Sequence, residues 1–242
     1  MQHLEMGTRV RLLGLTVVLG VCLGSGAAAQ AVPAPAPSVR LSGVIVILEK
    51  HNKPSPDIGD AVIYLAGGAA TAARPATLDV SIADKKFVPD VVVVPVGSTI
   101  RFPNTDPFSH NVFSASDPNG FDLGLYGRGE AKGHLFEHPG LVYIYCNVHS
   151  GMIAYVQVMP TRWYTQPGAD GSFTISGVPP GRYSLHVWHP RVSQEVVQDL
   201  DVPATGLALP APVQLDARGF KWQPHKNKYG KPYPTNAGRE LY

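Results

Sequence analysis

Cys146-Asn147-Val148-His149-Ser150-Gly151-Met152 spaces a thiol, an imidazole and a thioether three residues apart. Soft sulfur combined with imidazole favours copper, and a trigonal set of two His and one Cys with a weak axial Met is the blue-copper arrangement. This segment supplies one imidazole. His110, at the start of an apolar stretch behind a loop containing Pro103, Asn104, Asp106 and Pro107, is the candidate for the second. Two readings compete: a buried inert cysteine with two incidental surface histidines, and a zinc site. Zinc ranks below copper because thioether is a poor zinc ligand and one thiolate alone is on offer. The chain has two Cys, and Cys22 falls in an N-terminal segment read as removed, which leaves Cys146. A lone thiol in an oxidising compartment is a liability unless something occupies it.

Short strands must position these residues. Residues 141–146 are entered through Pro139-Gly140, and alternation sets Val142, Ile144 and Cys146 on one face and Leu141, Tyr143 and Tyr145 on the other. Cys146 therefore follows two β-branched residues into a core, and the tight loop after it turns His149 and Met152 back toward the same point. Further strands are expected over 41–48, 61–65, 78–82, 91–94, 98–102, 110–113, 153–158, 173–175, 183–187 and 196–202. The 25 Gly and 23 Pro fit many turns, and no helix longer than a turn or two is expected. The fold class is all-β, with a two-sheet sandwich around the candidate ligands.

Phe87-Val88-Pro89, Val94 to Ile100, Asn104-Thr105-Asp106 with His110-Asn111-Val112, and Pro139 to Cys146 resemble the small cupredoxins: plastocyanin, pseudoazurin and amicyanin. The resemblance covers roughly 77–159, and the short Cys–His–Met spacing is most similar to amicyanin. It implies a Greek-key β-sandwich over 76–160 and one copper ion, cycling between Cu(II) and Cu(I), held by His110, Cys146, His149 and Met152. It also implies that Asn111 ties the two ligand loops together, that His149 is the electron port, and that Tyr145 marks a second electron route. His134 and His138 read as solvated loop residues. His186 and His189 alternate on a strand and face opposite sides, so they do not chelate one ion together. There is no His-x-His pair or His-Cys-His run, so a resemblance to multicopper oxidases fails, and no Ser/His/Asp pattern has a nucleophile context.

Asp170-Gly171-Ser172-Phe173-Thr174-Ile175-Ser176-Gly177-Val178-Pro179-Pro180-Gly181-Arg182-Tyr183-Ser184-Leu185 resembles the carboxypeptidase-regulatory-like domains, small transthyretin-like sandwiches. Residues 41–65 look like that family's opening. The expected organisation is therefore a second small β-sandwich over 39–68 and 161–217, split by insertion of the cupredoxin. Three modules in a row is the alternative. Insertion at a loop tip is tolerated because domain termini lie close together.

The ends of the chain carry other signals. Arg9 and Arg11, the apolar run 12–23 and Ala27-Ala28-Ala29 read as a signal peptide over 1–29, so a periplasmic or otherwise exported protein, not transmembrane after cleavage, is expected. Val21 is too bulky for lipidation of Cys22. Residues 30–38 are a Pro-rich linker. Residues 218–242, a basic and aromatic tail without periodicity, read as a solvated extension. The net charge of +2 gives no argument for nucleic acid. The function expected is single-electron transfer between redox proteins such as a dehydrogenase and a cytochrome, without enzymatic activity of its own. A copper-delivery protein and an electron-entry subunit of an oxidase are the alternatives.

Overall fold

The computed structural model describes residues 38–68 and 71–233. The expected signal peptide, most of the expected Pro-rich linker and the last nine residues of the tail lie outside the described residues. Strands run β1 Val39–Leu48, β2 Val62–Ala66, β3 Thr77–Asp79, β4 Ser81–Ala83, β5 Lys86–Val88, β6 Val91–Pro95, β7 Ser98–Pro103, β8 His110–Ser114 and β9 Phe121–Tyr126. They continue as β10 Ala131–Phe136, β11 Gly140–Cys146, β12 Ile153–Met159, β13 Tyr164–Thr165, β14 Ser172–Val178, β15 Gly181–Trp188, β16 Val196–Val202, β17 Leu207–Ala208 and β18 Val213–Asp216. The helices among the described residues are two short 3-10 turns, Lys50–Asn52 and Ile58–Asp60. None is long and apolar enough to cross a membrane. The protein is all-β.

The strands build two packed cores. In one, the sheet β6-β12-β11-β8-β9 faces the sheet β10-β7-β3, with β4-β5 as a separate ribbon. Val94, Ile100, Phe102, Val112, Phe136, Ile144 and Val156 fill the space between them. Each such side chain contributes roughly 1.5–3 kcal/mol on burial, so this core holds the frame on which the ligand loops sit. In the other, β14-β1-β17, with β18 also on β1, packs against β13-β2-β15-β16 around the fully buried Trp163. The chain leaves this second sandwich after β2 and returns to it at β13. β1 pairs antiparallel with β14, and β2 with β15. Gly171 makes the turn before β14 possible: it sits at φ +79°, and a Cβ there would strike the Ile45 carbonyl of β1. A seam of Val62, Val91 and Met159, flanked by Tyr64, Tyr155 and Trp188, joins the two sandwiches.

Most strand expectations match to within about two residues, but 78–82 breaks into β3 and β4. The strands β5, β9, β10, β17 and β18 carry weaker signals. β9 and β10 lie at sheet edges, are half exposed along their length and lack β-branched residues. His134 consequently lies on β10, stacked on Phe121 at 4.0 Å, rather than in a solvated loop.

Candidate metal centre

β8 begins at His110 and β11 ends at Cys146. The two strands pair antiparallel, with Cys146 opposite Val112 and Tyr145 opposite Phe113, so both residues emerge at one end of the sheet. The alternation along β11 is as expected: Val142, Ile144 and Cys146 are buried, while Tyr143 is exposed. Beyond Cys146 the chain closes on itself. The Met152 N–H donates to the His149 carbonyl at 3.2 Å, and the Cys146 N–H donates to the Met152 carbonyl at 3.4 Å. The Asn147 N–H donates to the Asn111 carbonyl at 3.1 Å, fastening this loop to β8.

The turn brings three donor atoms together. His110 Nδ1 lies 3.6 Å and His149 Nδ1 3.7 Å from Cys146 Sγ, and the three donors all fall within 4.8 Å of one another. An ion about 2.0 Å from each nitrogen and about 2.3 Å from sulfur, with donor angles between about 110° and 120°, would set each N···S separation at about 3.5–3.7 Å. The donor set therefore fits a first-row metal ion without rearrangement. Cys146 and His110 are 0% exposed and Met152 is 2% exposed. Met152 packs in the same core as Cys146.

The protonation of these groups follows from their neighbours. His110 Nε2 faces Asp106 Oδ2 at 2.8 Å. Burial pushes the Asp106 carboxyl up, but the N–H groups of Lys85 and Asp84 and the ring of His110 outweigh it and leave it below the usual carboxylate range. An ionised Asp106 fixes the proton on Nε2 and leaves the Nδ1 lone pair aimed at Cys146. Burial holds His110 below the ordinary histidine value, against the pull of Asp106. His149 is lowered to about 4, first by burial and then by the neighbouring His110. Both rings are thus neutral ligands at pH 7. Burial raises the Cys146 thiol, while backbone N–H groups of Asn111, Val148 and His149 work in the opposite direction by pointing at its sulfur. Those three amides would steady a thiolate once a cation compensates its charge.

Other sequence expectations fall differently. Asn111 ties the ligand loops through its backbone. Its side chain turns away, donating to Asp122 Oδ1 at 2.6 Å. Tyr145 is half-buried and stacked on His225 at 4.5 Å, so a residue of the tail covers the position expected to mark a second electron route. The tail is exposed over most of 219–233 but is hydrogen-bonded to the ligand loop, contrary to a purely solvated extension. Sequence reasoning missed Asp106 as the group that orients His110. Its place four residues ahead, in a turn-rich loop, carries no mark of that role. His225 and Tyr233 were also missed, and the density of aromatics in the tail was their one trace.

No protein-family model matches the chain. Among curated proteins, the chloroplastic plastocyanin of Fritillaria agrestis is 31% identical over 109 residues, covering 39% of this chain and 66% of that protein. Part of this chain is similar to plastocyanin. The match spans just under two thirds of that relative's length. Among solved structures, a purple cupredoxin from Nitrosopumilus maritimus is 26% identical, covering 31% of this chain and 84% of that one, with a TM-score of 0.29. A copper-containing nitrite reductase from Thermus scotoductus SA-01 is 27% identical, covering 39% and 25% of the two chains, with a TM-score of 0.33. A reduced amicyanin mutant is 21% identical, covering 40% and 98%, with a TM-score of 0.32.

Proposed function

We propose that this chain is a blue copper protein that carries single electrons, holding one copper ion through His110, Cys146, His149 and Met152. The observation that carries this reading is the convergence of two neutral imidazole nitrogens on one buried thiol sulfur, at separations that suit a shared ion. The similarity to plastocyanin supports it. A bound copper ion supplies a one-electron couple between Cu(II) and Cu(I). The protein's own residues do the rest. Asp106 locks the tautomer and orientation of His110. The backbone amides around Cys146 hold its sulfur in one place. Met152 and the packed core exclude water, which sets the potential and limits rearrangement between charge states.

His149, half-buried and flanked by Phe108 at 5.6 Å between ring centres, is the exit for the electron. The partners are other redox proteins, with a dehydrogenase as donor and a cytochrome as acceptor among the classes that fit. The chain makes or breaks no substrate bond in this role. It works after export, where a lone Cys146 is protected by the metal. The second sandwich, whose strands flank the copper-binding part in sequence, is a carboxypeptidase-regulatory-like host into which that part is inserted, and it serves as scaffold.

Voltammetry of the copper-loaded protein tests the electron-transfer reading. A reversible one-electron wave with fast exchange is expected. An irreversible wave, together with transfer of the ion to an apo-acceptor, would instead establish copper delivery.

A further inference from the structure

Residues 219–233 form no strand, yet they cross the metal-centre end of the molecule and attach to the ligand loop repeatedly. The Tyr233 hydroxyl donates to the Cys146 carbonyl at 2.7 Å. The Lys228 N–H donates to Asn147 Oδ1 at 2.9 Å. His225 Nε2 faces the His149 carbonyl at 3.2 Å, its Nδ1 faces the Lys226 carbonyl at 2.8 Å, and the His225 N–H donates to the Ser150 carbonyl at 3.3 Å. Cys146, Asn147 and Ser150 therefore each receive a hydrogen bond from one segment, and His149 is in contact with it. Lys228 Nζ pairs with Asp122 Oδ2 at 2.6 Å, and the same carboxylate accepts from Asn111, the residue after His110. The segment thus grips both ligand-bearing regions. The His225 ring lies between Tyr145, stacked at 4.5 Å, and Tyr233, edge-on at 5.4 Å.

The segment also has a fold of its own. Asn227 Oδ1 accepts from the N–H groups of Tyr229 and Lys231, each at 3.0 Å, and the Asn227 N–H donates to the Lys231 carbonyl at 2.8 Å. This turn places Lys228 and Tyr233 against the loop.

We propose that the C-terminal strap, through His225, Lys228 and Tyr233, is a positioning element of the metal centre, holding the backbone of the Cys146-to-Ser150 loop in its ligand-ready shape before any ion binds. The proposal rests on the copper reading above for its consequences, though not for its geometry. A loop held by the strap spends no metal-binding energy on ordering itself and resists rearrangement between charge states. The strap also occupies the surface above Tyr145, which leaves the His149 and Phe108 face for a redox partner.

The test uses the full chain and two variants, Tyr233→Phe and Asn227→Ala. The first removes one hydroxyl and keeps the ring. The second disrupts the bend without touching the ligand loop. Amide hydrogen exchange over residues 146–152 is measured on the copper-free protein. Reduction potential and the rate of copper loss to bicinchoninate are measured on the loaded one. Tyr233→Phe, which loses one hydrogen bond, is expected to speed exchange about tenfold, and Asn227→Ala, which loses two within the bend, by at least as much, with β1 and β15 unchanged. Both are also expected to shift the potential and speed copper loss while keeping the thiolate–copper absorption. Unchanged exchange at the loop in both variants, with unchanged potential, would overturn the proposal. A parent chain without thiolate–copper absorption would defeat the copper reading instead, and the exchange result would still decide the role of the strap.

Discussion

Among the described residues, two clusters each bring three metal-capable side chains within 4.8 Å: His110, Cys146 and His149 at the end of one sandwich, and Asp57, Asp60 and His189 beside the other. Proximity is the same, but the state of the donors differs. In the second cluster His189 is saturated. Its Nε2 donates to the Asp57 carbonyl at 3.0 Å, and its Nδ1 accepts the Arg191 N–H at 3.2 Å. Asp57 is held in a fork by Arg191, with both contacts at 2.6 Å. Those groups are a closed hydrogen-bond network that fastens the loop before β2 to the one after β15. In the first cluster, one nitrogen of His110 is occupied by Asp106, and its other nitrogen faces the sulfur. A metal centre is recognised by donors aimed at a common point with their other contacts already satisfied, and a structural cluster by donors that satisfy one another.

The contrast can be broken by substitution. The largest effect expected is from His189→Ala. It removes a fully buried ring and leaves the Arg191 N–H without its acceptor, and is expected to cost about 3 kcal/mol of stability in chemical denaturation. Copper stoichiometry should not change. A loss of bound metal in this variant would mean that the second cluster contributes to the site.

Asp106→Asn acts at the other cluster. Three N–H groups, from Asp84, Lys85 and His110, converge on the two carboxylate oxygens, and an amide offers one acceptor oxygen where two are used. Copper affinity, measured by competition with a chelator, is expected to fall roughly 10- to 100-fold. An unchanged affinity would remove Asp106 from the account.

The smallest effect concerns Asp60, whose carboxyl is pushed up to about 6 by burial and by its neighbours Asp90 and Asp57, against the pull of Arg191. The unfolded chain releases this proton near pH 3.8, whereas the folded chain keeps it until about pH 6. The folded state binds more protons between those values, so stability falls as pH rises through that window and stays lower above it. Asp60→Asn is therefore expected to stabilise the protein at pH 7 by on the order of 1 kcal/mol, after allowing for solvent screening, and to make no difference at pH 4. Denaturation curves at the two pH values check this. Equal stability of parent and variant at pH 7 would contradict the burial argument.

The same contrast explains what could be read from the chain. The ligand segment was legible because its chemistry is local: Cys146, His149 and Met152 share one loop, and the alternation of Val142 and Ile144 announces the strand that delivers it. His110 was legible from its place at the head of an apolar stretch. Asp106 was not, because nothing in a turn-rich loop reveals that a carboxylate folds back beneath a histidine. The edge strands β9 and β10 were missed because half-solvated strands need neither β-branched residues nor a clean alternation. The strap was read as solvent-exposed because it buries no apolar face. Its attachment is made of hydrogen bonds to backbone and side-chain oxygens, an ion pair to Asp122 and one stacked ring, which leave no periodic trace in a sequence.

The most direct measurement is the visible spectrum of the Cu(II)-loaded full chain beside Cys146→Ser. An intense band near about 600 nm in the parent, lost in the variant while the fold is retained, is the expected result and identifies thiolate-to-copper charge transfer at His110, Cys146 and His149. A parent chain that binds Cu(II) with only weak absorption, or a band that survives in Cys146→Ser, would contradict the account.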